Sequence, residues 1–217
     1  MLIVNYLIVI VLSVKVKICG MTSIDNISRI LFLEPDYIGF VFHPQSPRYV
    51  VGRFNPDMLS IIPPSVKRTG VFVDSSERYI YDAINTYGLA AVQLHGHENP
   101  RQCARIRDLG VEVFKAFHIA DAHDFDTVWD YTEVVDYYLF DNKGPDLGGT
   151  GRQFDWQLIL RQPLRTPWAL AGGIGPDNIV EAAQSGASLI DLNSRFETEP
   201  GIKDYDALRR ALDMIGK

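Results

Sequence analysis

Three side chains in the sequence are of types that can move a proton or hold a carboxylate. Cys19 ends the apolar run Val14–Cys19, and Asp141 ends the run Tyr137–Asp141. A thiolate is a base or a nucleophile, and a carboxyl group kept protonated by burial is an acid near neutral pH. Arg48 lies in a loop with two prolines, and a guanidinium can hold a planar carboxylate by two hydrogen bonds. The plainer alternatives are a small core residue, a loop or capping aspartate, and a solvated loop arginine.

The elements that must position these residues alternate along the whole chain. Short β-branched or aromatic runs are separated by longer amphipathic stretches, which predicts βα units and a parallel sheet. The eight predicted strands are Val14–Cys19, Tyr37–Phe42, Arg68–Val73, Ala90–His95, Val111–Phe117, Tyr137–Asp141, Trp168–Ala171 and Ser188–Asn193. The predicted helices are Ile24–Leu33, Pro56–Ile61, Glu77–Tyr87, Pro100–Leu109, Trp156–Leu160, Asn178–Ser185 and Tyr205–Ile215, with a short fifth helix within Asp124–Tyr131.

Helix start and stop signals support this division. The predicted N-caps are Ser23 or Thr22, Ser76, Asn99 with Pro100, and Asp177, and glycines 88, 110 and 186 fall where helices should end. An eightfold rhythm fits either a closed (β/α)₈ barrel or an open doubly wound sheet. A barrel places its chemistry just after the strands, where this sequence has its cysteine, histidines, aspartates and glycine pairs. We therefore predict an α/β fold with one closed (β/α)₈ barrel.

Composition excludes several classes of function. The chain has 217 residues, 21 of them basic, and a net charge of −6, so it shows no charge footprint for DNA or RNA. A single phosphate needs no basic surface, so a small phosphorylated substrate remains compatible with this balance. Two distant cysteines match neither a disulfide scaffold nor a zinc site and predict the cytoplasm. The apolar stretch Leu2–Leu12 is too short to span a bilayer and lacks a basic flank and a cleavage site, so no membrane anchor is predicted.

Three segments after the last strands resemble a phosphate cradle. They are Gly148–Gly151, Gly172–Gly175 and Asn193–Arg195. Loops after the seventh and eighth strands form the recurrent phosphate site of these barrels, and glycine lets the backbone approach the anion closely. One glycine pair is weak evidence, whereas two at the ends of strands in one short barrel are more specific.

Seven separate segments together resemble one family, the phosphoribosylanthranilate isomerases of tryptophan biosynthesis. They are KICGMT, GFVFHPQSPRYV, GVFVD, VQLHGHE, FDNKG with GGTGRQFDW, ALAGGI, and DLNSRFETEPGIKD, in the order and strand positions of that family. The resemblance covers residues 14–217, which we expect to form the catalytic barrel. Residues 1–13 are an apolar extension outside the family pattern.

The resemblance implies an Amadori rearrangement of N-(5-phosphoribosyl)anthranilate to 1-(2-carboxyphenylamino)-1-deoxyribulose 5-phosphate, without metal or organic cofactor. Asp141 would be the acid that opens the furanose ring, and Cys19 the base that removes the C2′ proton. Lys17 and Lys143 are near these groups in sequence, and Gln93 and His95 would shape the floor of the site. The small molecule would be held by Arg48 at the anthranilate carboxylate, Asp191 at a ribose hydroxyl, and Gly172, Gly173, Asn193, Ser194 and Arg195 at the phosphate.

Arg195 departs from the family pattern, which has a glycine at this position after two small residues. We expect its guanidinium to face the anion. In the two alternatives its side chain turns to solvent, or a left-handed backbone at this position is strained.

Two rival functions use the same barrel. One is another phosphate-binding enzyme of tryptophan or histidine biosynthesis, such as indole-glycerol-phosphate synthase or the histidine-pathway isomerase, and the cysteine of KICG with the aspartate of FDNKG argues against both. The other is a non-catalytic barrel that binds a phosphorylated ligand, which retention of Cys19, Asp141 and Arg48 disfavours. Association with other enzymes of the tryptophan pathway is left open.

Overall fold

A computed structural model of the chain describes residues 14–142 and 156–217. Eight parallel strands close into a barrel in chain order, because β8 pairs with β1. The strands are β1 (Lys15–Ile18), β2 (Tyr37–Val41), β3 (Lys67–Phe72), β4 (Ala91–Leu94), β5 (Glu112–Ile119), β6 (Tyr137–Asn142), β7 (Trp168–Leu170) and β8 (Leu189–Leu192). The predicted closed barrel is confirmed, and each predicted strand end lies within two residues of the observed one.

Helices and short 3-10 helices connect the strands. The α-helices are α1 (Ile24–Ile30), α2 (Glu77–Tyr87), α3 (Pro100–Arg107), α4 (Gln157–Leu160), α5 (Ile179–Gln184) and α6 (Tyr205–Asp213). The 3-10 helices are Leu31–Leu33, Pro56–Ile61, Ala122–Tyr131 and Ser194–Phe196. A two-stranded antiparallel hairpin, β9 (Glu197–Glu199) and β10 (Ile202–Lys203), follows the last barrel strand and was not predicted. Among the described residues, no helix is long and apolar enough to cross a membrane.

Side-chain caps account for three of the predicted helix starts. The side chains of Ser23, Ser76 and Asn99 each accept a hydrogen bond from a backbone N–H in the first turn of α1, α2 and α3. The predicted cap at Asp177 is wrong: Asn178 occupies the N-cap of α5 and makes no side-chain cap bond there. Its amide instead binds the loop after β7, accepting from Gly175 N at 2.7 Å and donating to Gly173 O at 3.1 Å.

The barrel separates two apolar cores. Alternate side chains of each strand point outward and pack under the helices, and the others point into the barrel. The inner core is built from rings and small residues: Tyr37, Ala91, Phe114, Ala116, Tyr137, Leu139, Ala169, Ala171 and Leu189. Above it, toward the C-terminal ends of the strands, Cys19 packs with Val41 and Val71. This layer forms the floor on which the polar side chains of the strand ends sit.

Candidate active site

Cys19 lies at the C-terminal end of β1, and its side chain is buried in the mouth of the barrel. The neighbouring strand makes room for it at Gly39, because a Cβ there would stand 2.6 Å from the Cys19 Sγ. An alanine at position 39 would therefore displace the thiol. Cys19 thus lies directly after the first barrel strand, where the sequence predicted it, and its role as the base stays a prediction.

The buried side chain of Lys17 connects three strands of the barrel beneath the Cys19 thiol. Lys17 Nζ donates to Asp191 Oδ2 at 2.6 Å and to Gln93 Oε1 at 2.7 Å, joining β8, β1 and β4 across the barrel interior. Asp191 Oδ1 is buried and has no hydrogen-bond partner within the described residues. A buried carboxylate oxygen without a donor is costly in a folded protein, so this atom is suited to receive a donor from a ligand.

Burial and charge act in opposite directions on these groups. Burial raises the pKa of the Cys19 thiol above its ordinary value, although Lys17 and Lys203 act to lower it. Burial also disfavours the Lys17 ammonium, yet Asp191 and Cys19 together raise the pKa of Lys17. The pKa of Asp191 is raised by burial, against the opposing effect of Lys17. Burial and charge thus favour the ammonium form of Lys17 and the neutral thiol form of Cys19.

His95 and Asp141 face each other across the mouth. His95 Nε2 lies 3.4 Å from Asp141 Oδ2, and Gln93 Nε2 lies 2.8 Å from His95 Nδ1. The ring of His118 stands 5.2 Å from that of His95, centroid to centroid. One ligand atom from each of His95, His118 and Asp141 lies within 4.8 Å of the other two. Two histidines and a carboxylate could hold a metal such as Zn²⁺.

The guanidinium of Arg48 binds a carboxylate that belongs to the protein. Arg48 Nε lies 2.9 Å from Glu197 Oε1, and Arg48 Nη2 lies 2.5 Å from Glu197 Oε2. Lys203 Nζ donates to the same carboxylate at 2.5 Å and to Asn193 Oδ1 at 2.8 Å. Burial lowers the pKa of Lys203 although Glu197 opposes this, and the pKa of Glu197 falls because its two cationic neighbours outweigh its burial. Two cations on one carboxylate leave a net positive charge beside the mouth.

The backbone at Gly20 lets this cluster reach the end of β1. Gly20 has φ +79°, and a Cβ there would lie 2.6 Å from Arg48 Cδ and 2.8 Å from Asn193 Oδ1. Both the left-handed backbone and the lack of space require glycine. Arg48 and Asn193, which the sequence analysis assigned to opposite ends of the substrate, are thus both packed against the segment that follows Cys19.

The loops after β7 and β8 come together through Arg195. Gly172 and Gly173 have φ of +78° and +73°, which favours glycine at both positions. Arg195 Nη1 donates to Gly173 O at 3.2 Å, Arg195 Nη2 lies 2.7 Å from Asp177 Oδ1, and a Cβ at Gly175 would meet Arg195 Nε at 2.6 Å.

Arg195 and Ser194 lie in a 3-10 helix, and the non-glycine residues with positive φ in the described ranges are Glu34 and Asp74. The alternative of a left-handed, strained Arg195 is therefore wrong. The Gly148–Gly151 segment and Lys143 lie outside the described residues.

Sequence reasoning did not single out two charged residues of this site. Glu197 and Lys203 belong to the motif DLNSRFETEPGIKD, where they were quoted only as part of the pattern. Glu197 contacts Arg48, and Lys203 contacts Glu197 from the paired strand of the hairpin β9–β10. The available signal was the position of both charges directly after the last barrel strand, at the end where a barrel carries its site.

Comparisons with known proteins agree on one family. The sequence profile of N-(5'phosphoribosyl)anthranilate (PRA) isomerase matches residues 16–214. The N-(5'-phosphoribosyl)anthranilate isomerase of Zymomonas mobilis subsp. mobilis is 38% identical over 209 residues, covering 94% of this chain and 99% of that protein. The crystal structure of phosphoribosyl anthranilate isomerase from Thermotoga maritima superposes with a TM-score of 0.86 at 34% identity, covering 94% of this chain and 98% of the other.

A second solved structure shows what such a barrel can hold. It is a phosphoribosyl anthranilate isomerase in complex with reduced 1-(o-carboxyphenylamino)-1-deoxyribulose 5-phosphate, with a TM-score of 0.82 and 32% identity, and the match covers 94% of this chain and 98% of that one. The matches extend over nearly the whole barrel, including every described strand end that carries a candidate residue. This chain belongs to the phosphoribosylanthranilate isomerase family.

Proposed function

We propose that this chain is the isomerase of tryptophan biosynthesis that converts N-(5-phosphoribosyl)anthranilate to 1-(2-carboxyphenylamino)-1-deoxyribulose 5-phosphate. One observation carries the proposal beyond family membership. The thiol of Cys19 and the carboxylate of Asp141 stand at the C-terminal ends of β1 and β6 in one barrel mouth, and contacts through Lys17, Gln93 and His95 connect the two strands. An aldose-to-ketose shift needs one acid and one base at such a site.

In this mechanism Asp141 protonates the ring oxygen of the ribose, and the C1′–O bond breaks to give an open-chain iminium. The iminium acidifies the C2′ proton, which Cys19 removes as thiolate after its thiol has released its own proton to solvent. The resulting enolamine tautomerises to the ketose. After the reaction Cys19 returns a proton to solvent and Asp141 takes one up, which restores the base and the acid. Because burial raises the pKa of Cys19, the thiol depends on nearby positive charge to ionise. The iminium supplies that charge at the moment of proton removal, beside the ammonium of Lys17.

Asp191 would hold a ribose hydroxyl. Its Oδ2 is committed to Lys17 at 2.6 Å, while its buried Oδ1 has no partner within the described residues. A hydroxyl donor would satisfy that oxygen and fix the sugar above the barrel floor. The raised pKa of Asp191 is consistent with a carboxylate that gains stability when such a donor arrives.

Arg48 would bind the anthranilate carboxylate. Glu197 takes the edge of the guanidinium formed by Nε and one N–H of Nη2. A guanidinium has five N–H donors, so the end formed by Nη1 and Nη2 can still take a second carboxylate with two hydrogen bonds. Glu197 holds the side chain in place, and Lys203 neutralises Glu197 so that the approach of a second anion is favoured.

The phosphate would lie between the loops that follow β7 and β8. Gly172 and Gly173 allow close approach of the backbone there, and Asn193, Ser194 and Arg195 come from the opposite loop. The guanidinium of Arg195 contacts the glycine loop at Gly173 O and is paired with Asp177, so a phosphate would compete with Asp177 for it. The proposal includes no metal or organic cofactor, since acid, base and anion sites are all supplied by side chains and backbone. Both cysteines are free thiols, which supports a reducing compartment such as the cytoplasm.

The test is direct turnover. Purified full-length chain is incubated with freshly generated phosphoribosylanthranilate, and the loss of the substrate's fluorescence is followed over time. Loss well above the spontaneous rate, abolished in the Cys19→Ala and Asp141→Asn variants, is the expected result. Binding of the substrate without accelerated loss would identify a non-catalytic barrel and overturn the proposal.

A further inference from the structure

A chain of side-chain contacts runs across the mouth of the barrel from β8 to β6. Asp191 binds Lys17 at 2.6 Å, Lys17 binds Gln93 at 2.7 Å, Gln93 binds His95 at 2.8 Å, and His95 faces Asp141 at 3.4 Å. Lys17 and Gln93 are almost fully buried. Each contact in such a chain has a direction, because every hydrogen bond needs one donor and one acceptor.

Lys17 fixes the donor-to-acceptor direction of the hydrogen bonds in this chain. An ammonium has three donors and no acceptor, so the atom of Gln93 that faces Lys17 must be its carbonyl Oε1. The amide –NH₂ of Gln93 then points at His95 Nδ1. Rotating the amide by 180° would set N–H groups against the ammonium in a buried place and would lose the hydrogen bond to Lys17. Because the amide donates, His95 Nδ1 must be the bare acceptor nitrogen.

We propose that Gln93, anchored by Lys17, is a positioning residue that holds neutral His95 as the Nε2–H tautomer, so that His95 directs an N–H at Asp141 Oδ2. The part that concerns catalysis rests on the proposed function. Once Asp141 has given its proton to the ribose oxygen, the Nε2–H of His95 stabilises the carboxylate that remains. The separation of 3.4 Å is long for a hydrogen bond, and such contacts commonly shorten when substrate closes a site.

The same tautomer of His95 disfavours metal binding by the cluster of His95, His118 and Asp141. Coordination through His95 Nε2 needs a lone pair on that nitrogen, so the ring proton would have to move to Nδ1. There it would meet the N–H of Gln93, donor against donor, in the interior of the protein. The cluster of His95, His118 and Asp141 has ligand types and spacing suited to Zn²⁺, and the polarity of its supporting hydrogen bonds opposes Zn²⁺ binding.

The experiment reads the two ring nitrogens of His95 by ¹⁵N NMR. Full-length protein labelled at histidine is measured at pH 8, above the ordinary histidine pKa of about 6.5, so that neutral rings dominate. The His95 signals are assigned by their loss in His95→Gln. A proton-bearing Nε2 and a bare Nδ1 are expected in the wild-type chain, and the reverse pattern in wild type overturns the proposal.

The matched variant is Gln93→Glu, which keeps size and the acceptor for Lys17 but replaces the donor to His95 with a second acceptor. His95 should then carry a proton on Nδ1, while the exposed His97, measured in the same spectrum, keeps its pattern. An unchanged His95 in a folded Gln93→Glu variant overturns the role of Gln93. If this variant does not fold, Gln93→Met takes its place, because methionine offers His95 no hydrogen-bond donor. A His95 that still carries its proton only on Nε2 in Gln93→Met would likewise overturn the role of Gln93.

Two further readouts separate this inference from the proposed function. Zn²⁺ added at one equivalent should leave the His95 signals of the wild-type chain unchanged. If one equivalent is enough to shift the signals of both His95 and His118 completely, Zn²⁺ binds tightly there and the inference is overturned. In the fluorescence assay, Gln93→Glu should lower kcat by about tenfold with little change in KM, a smaller loss than removing the acid itself. The tautomer is measured without turnover, so a wild-type chain that shows no isomerase activity refutes the function and leaves the tautomer result standing.

Discussion

The two ends of the barrel both carry charged side chains, but they pair them differently. At the N-terminal end, Glu112 accepts from the Tyr37 hydroxyl at 2.9 Å and forms an ion pair with Lys67, while Lys15 donates to the Tyr137 hydroxyl at 3.0 Å. Burial, with the Glu112 carboxylate, raises the pKa of Tyr37, so that its hydroxyl stays a donor. The ring of Phe114 stacks on Tyr137 at 4.6 Å and meets Tyr37 edge-on.

At the C-terminal end the charges are deeper and less completely matched. Asp191 keeps a buried oxygen without a partner in the described residues, and burial raises the pKa of Cys19. Arg48 and Lys203 share one carboxylate. The contrast indicates that the paired charges at the N-terminal end stabilise the barrel, whereas the incompletely paired groups at the C-terminal end are available to bind a ligand. This is the usual arrangement in this fold. Substitutions at the C-terminal end should therefore change activity, and those at the N-terminal end should change stability.

The largest expected effect is at the acid–base pair. Cys19→Ala and Asp141→Asn should each lower kcat by at least about 10²-fold, or about 2.7 kcal/mol in the barrier, because each removes a positioned proton-transfer group. Steady-state kinetics with a thermal melt measures both activity and folding. The matched controls are Cys103→Ala, at the other buried cysteine, in α3, and Asp82→Asn on the surface of α2, and both should turn over normally. Near-wild-type kcat in either site variant would refute the assigned role.

The second expected effect is on pH dependence. Burial raises the pKa of Cys19, and the mechanism needs Cys19 as a thiolate together with a protonated Asp141, so kcat/KM should be a bell-shaped function of pH. Its descending limb should lie beyond pH 8.5, the ordinary pKa of a thiol. A pH profile of kcat/KM for the wild-type chain measures this. A descending limb below pH 8 would mean that the surrounding ammonium groups outweigh burial, or that another group is the base.

The third expected effect separates binding from support at Arg48. Arg48→Ala should raise KM by about 10- to 150-fold, corresponding to the roughly 1.5–3 kcal/mol of a charge-assisted pair, with kcat changed less. Glu197→Gln is the informative partner variant, because it keeps the side chain's shape while removing the competing charge. It should leave KM unchanged or lower it. If Arg48 only fastens the hairpin β9–β10, Arg48→Ala will lower the melting temperature and leave KM alone.

The fourth expected effect tests the other end of the barrel. Tyr37→Phe removes the buried hydroxyl that donates to Glu112 and should lower the free energy of unfolding by about 1 kcal/mol, or about 2–4 °C in Tm. The kcat should stay within about twofold of wild type, since small shape-preserving changes far from the chemistry remove no transition-state contact. Tyr81→Phe, at an exposed tyrosine of α2, is the control and should change neither quantity. A large loss of kcat in Tyr37→Phe would contradict the claim that substitutions at the N-terminal end change stability and not activity.

The sequence predicted most of the fold because local signals and the barrel pattern agree. The bounds of Pro56–Ile61 and Glu77–Tyr87 coincide with prediction, and caps at Ser76 and Gly88 explain why the second of these begins and ends where it does. The hairpin β9–β10 was missed because its strands have three and two residues, too few for any periodic pattern.

For the site, the strand ends of Cys19 and Asp141 could be placed from sequence, but the partners of their neighbours could not. Glu197 follows Arg48 by 149 residues, and Gln93 follows Lys17 by 76, so each contact exists only when the barrel has closed in its register. The direction of the Arg195 side chain is a third case, since it depends on which carboxylate of the folded chain is within reach.

Arg195 gives the smallest predicted effect and also the finest test of the comparison, because it lies at the reactive end but is already paired. Its guanidinium reaches Asp177, and the two side chains are 33% and 66% exposed, so their mutual attraction is worth little in water. A phosphate between the loops would compete for the same guanidinium. Arg195→Gly should therefore raise KM by roughly two- to fivefold, more at low salt, with kcat little changed. Asp177→Asn should act in the opposite direction and lower KM, because it releases the guanidinium toward the anion. Equal KM values for wild type and both variants at low salt would show that Arg195 serves only to hold the two loops together.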